Sequence, residues 1–139
     1  MRLDDLLAEF DGLDAEERLE VLVEFAGMLP RASVEEQARL EQPGCRVQEC
    51  QTPVYLQAGL RDGRVHLAAV VPESSPTVRG FVAMLVVGLE GALPEDVDSV
   101  PDDLIGRIGL REALGMQRTR GFAGIVARIK REIARAGGT

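Results

Sequence analysis

The sequence predicts an α+β fold in which helices pack on a small antiparallel sheet. Apolar residues recur at helical spacing before residue 41 and after residue 75, but alternate one-in, one-out between residues 54 and 71. Asp62-Gly63 interrupts that alternation where a two-residue hairpin turn needs residues that tolerate positive φ. The order is therefore helices, a hairpin, then helices again. No repeat or linker breaks the chain, and 139 residues are expected to form one domain, 1–139, long enough to bury a core without disulfide or metal staples.

A short helix is expected from about Met1 to Phe10. Asp14 and Glu17 stand three apart as a capping box for a second helix to about Met28, with Leu19, Leu22, Val23, Ala26 and Leu29 on one stripe and Pro30 as its stop. Ser33-Val34-Glu35-Glu36 caps a further brief turn reaching about Leu40. Residues 41–53 hold Pro43, Gly44 and Pro53 and show neither period, so they form an irregular segment with a short strand near Arg46 to Gln48. Two hairpin strands follow, carrying Val54, Leu56, Ala58 and Leu60, then Val65, Leu67, Ala69 and Val71, which makes a three-stranded sheet in all.

Ser75-Pro76 supplies an N-cap and a first-turn proline to a helix with Val78, Phe81, Val82, Leu85, Val86 and Leu89 in register, closed by Gly91. This should be the most buried helix. Pro94 and Pro101 each start a short helical turn, and a last helix from about Arg118 to Arg135 turns Phe122, Ile125, Val126, Ile129 and Ile133 to the core.

The net charge of −7 is unevenly distributed: residues 1–50 carry 13 acids against five bases, residues 118–139 one acid against six bases. An acidic surface argues against nucleic acid as a partner, because phosphate binding needs concentrated positive charge. The basic tail reads as a solvated helix face favoured by the carboxyl end of the helix dipole. No apolar run approaches the roughly 18 residues of a membrane span, so no membrane partner is expected. Met1-Arg2-Leu3-Asp4-Asp5 is too acidic for a secretion signal, which places the chain in the cytoplasm with its thiols reduced.

Chemistry-bearing residues are few. The chain has two cysteines, Cys45 and Cys50, and one histidine, His66. An isolated cysteine is most often a buried apolar residue, but Cys50 lies between Glu49 and Gln51 in the proline-punctuated segment, not on an apolar stripe. Its reactivity would depend on cationic or dipolar neighbours, for which Arg46, Arg118 and Arg120 are candidates by type. Cys45 and Cys50 are five apart, unlike a Cys-x-x-Cys redox pair; a regulatory disulfide is the minor alternative. Cys45, Cys50 and His66 do not have zinc-site spacing, and two cysteines fall short of the four an iron–sulfur cluster normally takes. His66 falls on the hairpin face opposite Val65 and Leu67, half-exposed, and no phosphate-binding glycine loop occurs. No metal and no cofactor are therefore expected.

The segment Val47-Gln48-Glu49-Cys50-Gln51-Thr52-Pro53-Val54-Tyr55-Leu56 resembles the SufE family of sulfur acceptors, whose motif reads roughly Val-x-Gly-Cys-Gln-Ser-Gln-Val-Trp-Leu. Glu24 to Pro30, Val78-Arg79-Gly80-Phe81, and Gly109-Leu110 with Arg118-Thr119-Arg120-Gly121-Phe122 resemble further family segments in the right order, over about residues 14 to 131. The resemblance implies a SufE/NifU-like fold. It also implies that Cys50 takes persulfide sulfur from a pyridoxal-phosphate cysteine desulfurase (SufS-like) and passes it to an iron–sulfur scaffold (SufB-like). Arg118, Gln51, Thr52 and Gly121 would support the site. Such a protein is an accessory and activator of the desulfurase, not a stand-alone enzyme. The alternative is a non-catalytic module of the same fold that docks on a desulfurase or other protein. Glu49 replaces the family's glycine and should disfavour the thiolate, and Pro72-Glu73-Ser74-Ser75 replaces its Asp-Ser-Asp-Ala.

Overall fold

The computed structural model describes residues 1–137. Helices α1 (Arg2–Ala8) and α2 (Ala15–Phe25) come first, α2 continuing as a 3-10 turn over Ala26–Met28. The Asp14/Glu17 capping box forms as expected, and so does that of Ser33 with Glu36 at the start of α3 (Val34–Leu40). The α2 stripe differs in one respect: Val23 is 40% exposed and Phe25 takes its place inside, edge-on to Phe10 at 5.7 Å. Val23 precedes the aromatic by two positions, so the helix cannot bury both, and the larger apolar surface is the one buried.

The hairpin forms with β1 (Tyr55–Arg61) and β2 (Arg64–Val70) in the register set by Asp62 and Gly63, which both have positive φ. Leu56, Ala58, Val65, Leu67 and Ala69 form its buried face. The expected third strand does not form: among the described residues the sheet has two strands, and the Arg46–Gln48 region contributes one isolated antiparallel bridge, Arg46 to Tyr55. Pairing stops there because the chain turns at Val47 into a tight lobe and returns at Val54, whose carbonyl accepts from the Val47 N–H at 2.9 Å. The other edge is covered instead, since Val65 exchanges two backbone hydrogen bonds with Gly91 and Ala92.

Helix α4 (Pro76–Leu89) is the centre of the molecule, apolar nearly all round and buried at ten positions. Its Ser75 makes no side-chain cap hydrogen bond, contrary to expectation; Pro76 alone marks the start. Gly80 lets α4 cross α2 closely, because any side chain there would overlap the backbone of Leu22. Arg79 secures the crossing, donating to the carbonyls of Val71 at 2.7 Å and Ala26 at 3.4 Å. Three short helices follow: α5 (Pro94–Asp98), α6 (Leu104–Arg107) and α7 (Arg111–Leu114). Asp103, not Pro101, starts α6, its carboxylate accepting from the Gly106 N–H. The last helix, α8 (Met116–Gly137), is longer than expected and buries Phe122, Ile125, Val126, Ile129 and Ile133 as its periodicity requires. No helix among the described residues is long and apolar enough to cross a membrane.

Candidate functional site

Cys50 sits at the tip of the lobe between Val47 and Val54. Both valines are fully buried, and the neck they form is closed by the Val47–Val54 hydrogen bond and a second from Cys50 N–H to the Val47 carbonyl at 3.3 Å. Prolines on either side remove donors and limit φ, so the segment cannot continue into a helix or a regular strand. The tip folds inward. Cys50 is 7% exposed while Glu49 and Gln51 point to solvent.

Against this lobe lies the first half of α8. A β-carbon at Gly121 would stand 3.5 Å from Cys50 Cα and 3.6 Å from its Sγ, and one at Gly124 would meet the Glu49 side chain at 2.7 Å. Two missing side chains thus let the thiol loop rest on the helix. The thiol opens onto a pocket of about 200 Å³ lined by Cys50, Gln51, Thr52, Val78, Gln117, Arg118, Gly121 and Phe122. Phe122 is held by Phe81 of α4, ring centroids 4.4 Å apart.

Every residue singled out in the sequence as nucleophile or support, namely Cys50, Gln51, Thr52, Arg118 and Gly121, lines this one pocket. The other candidates lie elsewhere. Arg120 is exposed and reaches Met116 Sδ, whereas Arg46 places its charge near the thiol and its guanidinium 3.5 Å from the Gln51 carbonyl. His66 is half-exposed on β2 and pairs with Glu90 at 2.8 Å. Cys45 is free and half-buried, and it opens onto a separate cleft with Arg128, Arg131 and Arg135. Among the described residues no group of three His, Cys, Asp or Glu side chains converges as metal ligands would.

Burial pushes the Cys50 thiol above its ordinary pKa. A hydrogen bond from the Thr52 backbone and the Arg46 charge pull the other way, and Glu49 adds the smallest upward push. The sequence points to Glu49 as the main obstacle to a thiolate; desolvation outweighs it because the Glu49 carboxylate is solvated and screened. The buried position thus favours the protonated thiol.

Arg128 does not stand out in the sequence, where it belongs to a solvated basic tail. In the structure it turns inward, its Nη1 donating to the Arg46 carbonyl at 2.8 Å and its Nη2 to the Gly44 carbonyl. One signal was available. Gly121, Gly124 and Arg128 share a stripe of α8, and two glycines inside a helix cost about 1 kcal/mol each relative to alanine unless something packs against them.

The geometry defines a small α+β protein with a buried free thiol sheltered on a loop against its last helix. The model of the SufE Fe-S metabolism associated domain matches residues 4–133, and the chain belongs to the SufE family. An uncharacterized SufE-like protein of Mycobacterium tuberculosis is 33% identical over 135 residues, covering 96% of this chain and 92% of the relative. The cysteine desulfuration protein SufE of Plasmodium vivax is 32% identical over 83 residues, 58% of this chain and 34% of that protein. The solution structure of a hypothetical protein from Thermus thermophilus superposes with a TM-score of 0.80 at 34% identity, covering 99% of this chain and 97% of the other. Membership implies a role in iron–sulfur metabolism.

Proposed function

We propose that Cys50 is a sulfur acceptor and carrier, loaded from the persulfide of a pyridoxal-phosphate cysteine desulfurase and unloaded onto an iron–sulfur assembly scaffold. The supporting observation is convergence: three segments far apart in sequence, 50–52, Val78 and 117–122, meet around one thiol. The Cys50 thiolate attacks the terminal sulfur of the donor persulfide. A new sulfur–sulfur bond forms on Cys50, the donor's sulfur–sulfur bond breaks, and the donor cysteine leaves as a thiolate with no net oxidation.

Such an exchange needs no general base once the thiol is ionised, which suits a site whose histidine is occupied elsewhere. When the tip opens, the desolvation that holds the thiol protonated is relieved, and the Thr52 amide and Arg46 charge favour the thiolate. When it closes, the pocket of about 200 Å³ accommodates the added sulfur, being several times the ~30 Å³ share of one water molecule. Arg118 and Gln51 frame the mouth, and Gly121 keeps the floor low enough for the sulfur to enter.

The test is incubation with a cysteine desulfurase and cysteine. Wild type and Cys45→Ser gain sulfane sulfur and Cys50→Ser does not. Binding to the desulfurase with no gain of sulfur on wild type would instead establish the docking module.

A further inference from the structure

The tip and the neck of the thiol loop are held very differently. The neck is tied to α8 through one Arg–Glu pair, with both side chains only 18% exposed. Arg128 spreads its guanidinium over three acceptors: Nε to Glu132 Oε2 at 2.5 Å, Nη1 to the Arg46 carbonyl at 2.8 Å, and Nη2 to the Gly44 carbonyl. Glu132 completes the tie by accepting from the Ala58 N–H of β1 at 2.9 Å. The segment that enters the loop and the strand that leaves it are therefore fastened to the same turn of the same helix. The tip's polar contacts stay within the loop and its own root: Cys50 N–H to Val47 O at 3.3 Å, Arg46 Nη2 to Gln51 O at 3.5 Å, Val54 N–H to Thr52 O at 2.8 Å and the Thr52 amide to the Cys50 sulfur; against α8 it rests by packing on Gly121 and Gly124.

We infer that Arg128 is a positioning residue for sulfur transfer: it fixes the root of the loop to α8, so that Cys50 leaves its pocket by movement of residues 48–53 alone and meets the partner from a rigid stem. The inference rests on the reading of Cys50 as the sulfur acceptor. A charge-assisted hydrogen bond is stronger than a neutral one, and Arg128 makes two to backbone carbonyls at the root of the loop, the one to Arg46 partly buried. Lysine keeps the charge but cannot span three acceptors with a planar fork. Without the anchor the whole segment from Gly44 loosens. The thiol becomes easier for a small reagent to reach and harder to place at a partner's active site, because proximity and orientation are lost.

The test uses the full chain in a Cys45→Ser background with two readouts. For iodoacetamide alkylation of Cys50 without a partner, Arg128→Ala raises the rate by roughly ten-fold or more, corresponding to about 1.4 kcal/mol of loop closure, with little dependence on low urea concentrations because the opening is local. For sulfur loading at saturating desulfurase, the same variant is slower than the parent although its thiol is more accessible. Arg128→Lys falls between in both, and Arg131→Ala, which removes a neighbouring exposed charge from α8, matches the parent in both.

An unchanged alkylation rate, a rise that follows urea as global unfolding does, or loading at the parent rate overturns the inference while the parent still loads. A parent that takes no sulfane sulfur overturns the acceptor reading itself, and the inference with it.

Discussion

Replacing Gly124 by alanine would put a methyl group into the thiol loop from the helix side. Its carbon would lie 2.7 Å from both Cβ and Oε2 of Glu49 and 2.9 Å from Cγ, well inside the 3.5–4.0 Å at which carbon atoms rest. Because Cβ is fixed to the backbone, rotation of the Glu49 side chain cannot relieve the overlap and the loop must move. Alanine gains about 0.8–1.0 kcal/mol over glycine in a helix interior, while overpacking costs about 1–3 kcal/mol. The variant should therefore range from near neutral to about 2 kcal/mol less stable. The decisive background is Glu49→Gly, which removes the clashing atoms and restores the residue usual at that position in the resembled motif. There, Gly124→Ala should show its helix gain unopposed. Urea unfolding followed by far-UV circular dichroism across the four proteins gives a coupling energy of about 1–3 kcal/mol. A coupling below about 0.5 kcal/mol would mean that the loop is not seated on α8 at Gly124, and would refute the packing described for the site.

Four further outcomes follow from the same structure. Gly121→Ala, whose new carbon would make ordinary contacts at 3.5–3.6 Å with Cys50, should keep its helix gain of about 0.8–1.0 kcal/mol in the same unfolding assay and slow Cys50 alkylation by narrowing its pocket. Gly80→Ala, driven into the Leu22 backbone with no side chain able to yield, should cost about 3 kcal/mol or more and lower the melting temperature sharply. The folded Cys50 thiol has a raised pKa, so its alkylation rate should keep climbing with pH after that of the urea-unfolded chain levels off near the ordinary value of about 8.5. Linkage has the matching sign: the stability tied to burying this thiol is intact below the unfolded pKa and is lost as pH rises through the folded one, so denaturation midpoints measured in Cys50→Ser should fall less at alkaline pH.

The elements legible in the sequence are those whose signal is local. Asp14 with Glu17, Ser33 with Glu36, and Asp62-Gly63 carry their own geometry, and each forms as read. The α4 and α8 stripes are legible because burial repeats every 3.6 residues. What is not legible depends on tertiary contact. The third strand shrinks to the Arg46–Tyr55 bridge because the chain leaves the sheet plane at Val47 to make the thiol lobe, a choice that no pairing preference in residues 46–48 encodes. Val23 and Phe25 exchange roles because α2 is oriented by its contacts with α4 and by the Phe10–Phe25 pair. Cys50 itself can be singled out from its polar flanks and the family motif, but that burial outweighs Glu49 in setting its pKa follows only from the lobe folding inward. Arg128 shows the limit most clearly. In the sequence it is one of six bases in a charged tail, and only the arrival of the Gly44 and Arg46 carbonyls gives it a structural task.

The central claim is that sulfur passes onto Cys50. Intact-mass and peptide mass spectrometry of the wild-type protein after treatment with a cysteine desulfurase and cysteine reads it directly. The expected result is a gain of one sulfur mass confined to the peptide containing Cys50, reversed by a reductant, absent from Cys50→Ser and kept in Cys45→Ser. A wild-type protein that binds the desulfurase and emerges at its original mass, or one that carries the added sulfur on Cys45, would contradict it.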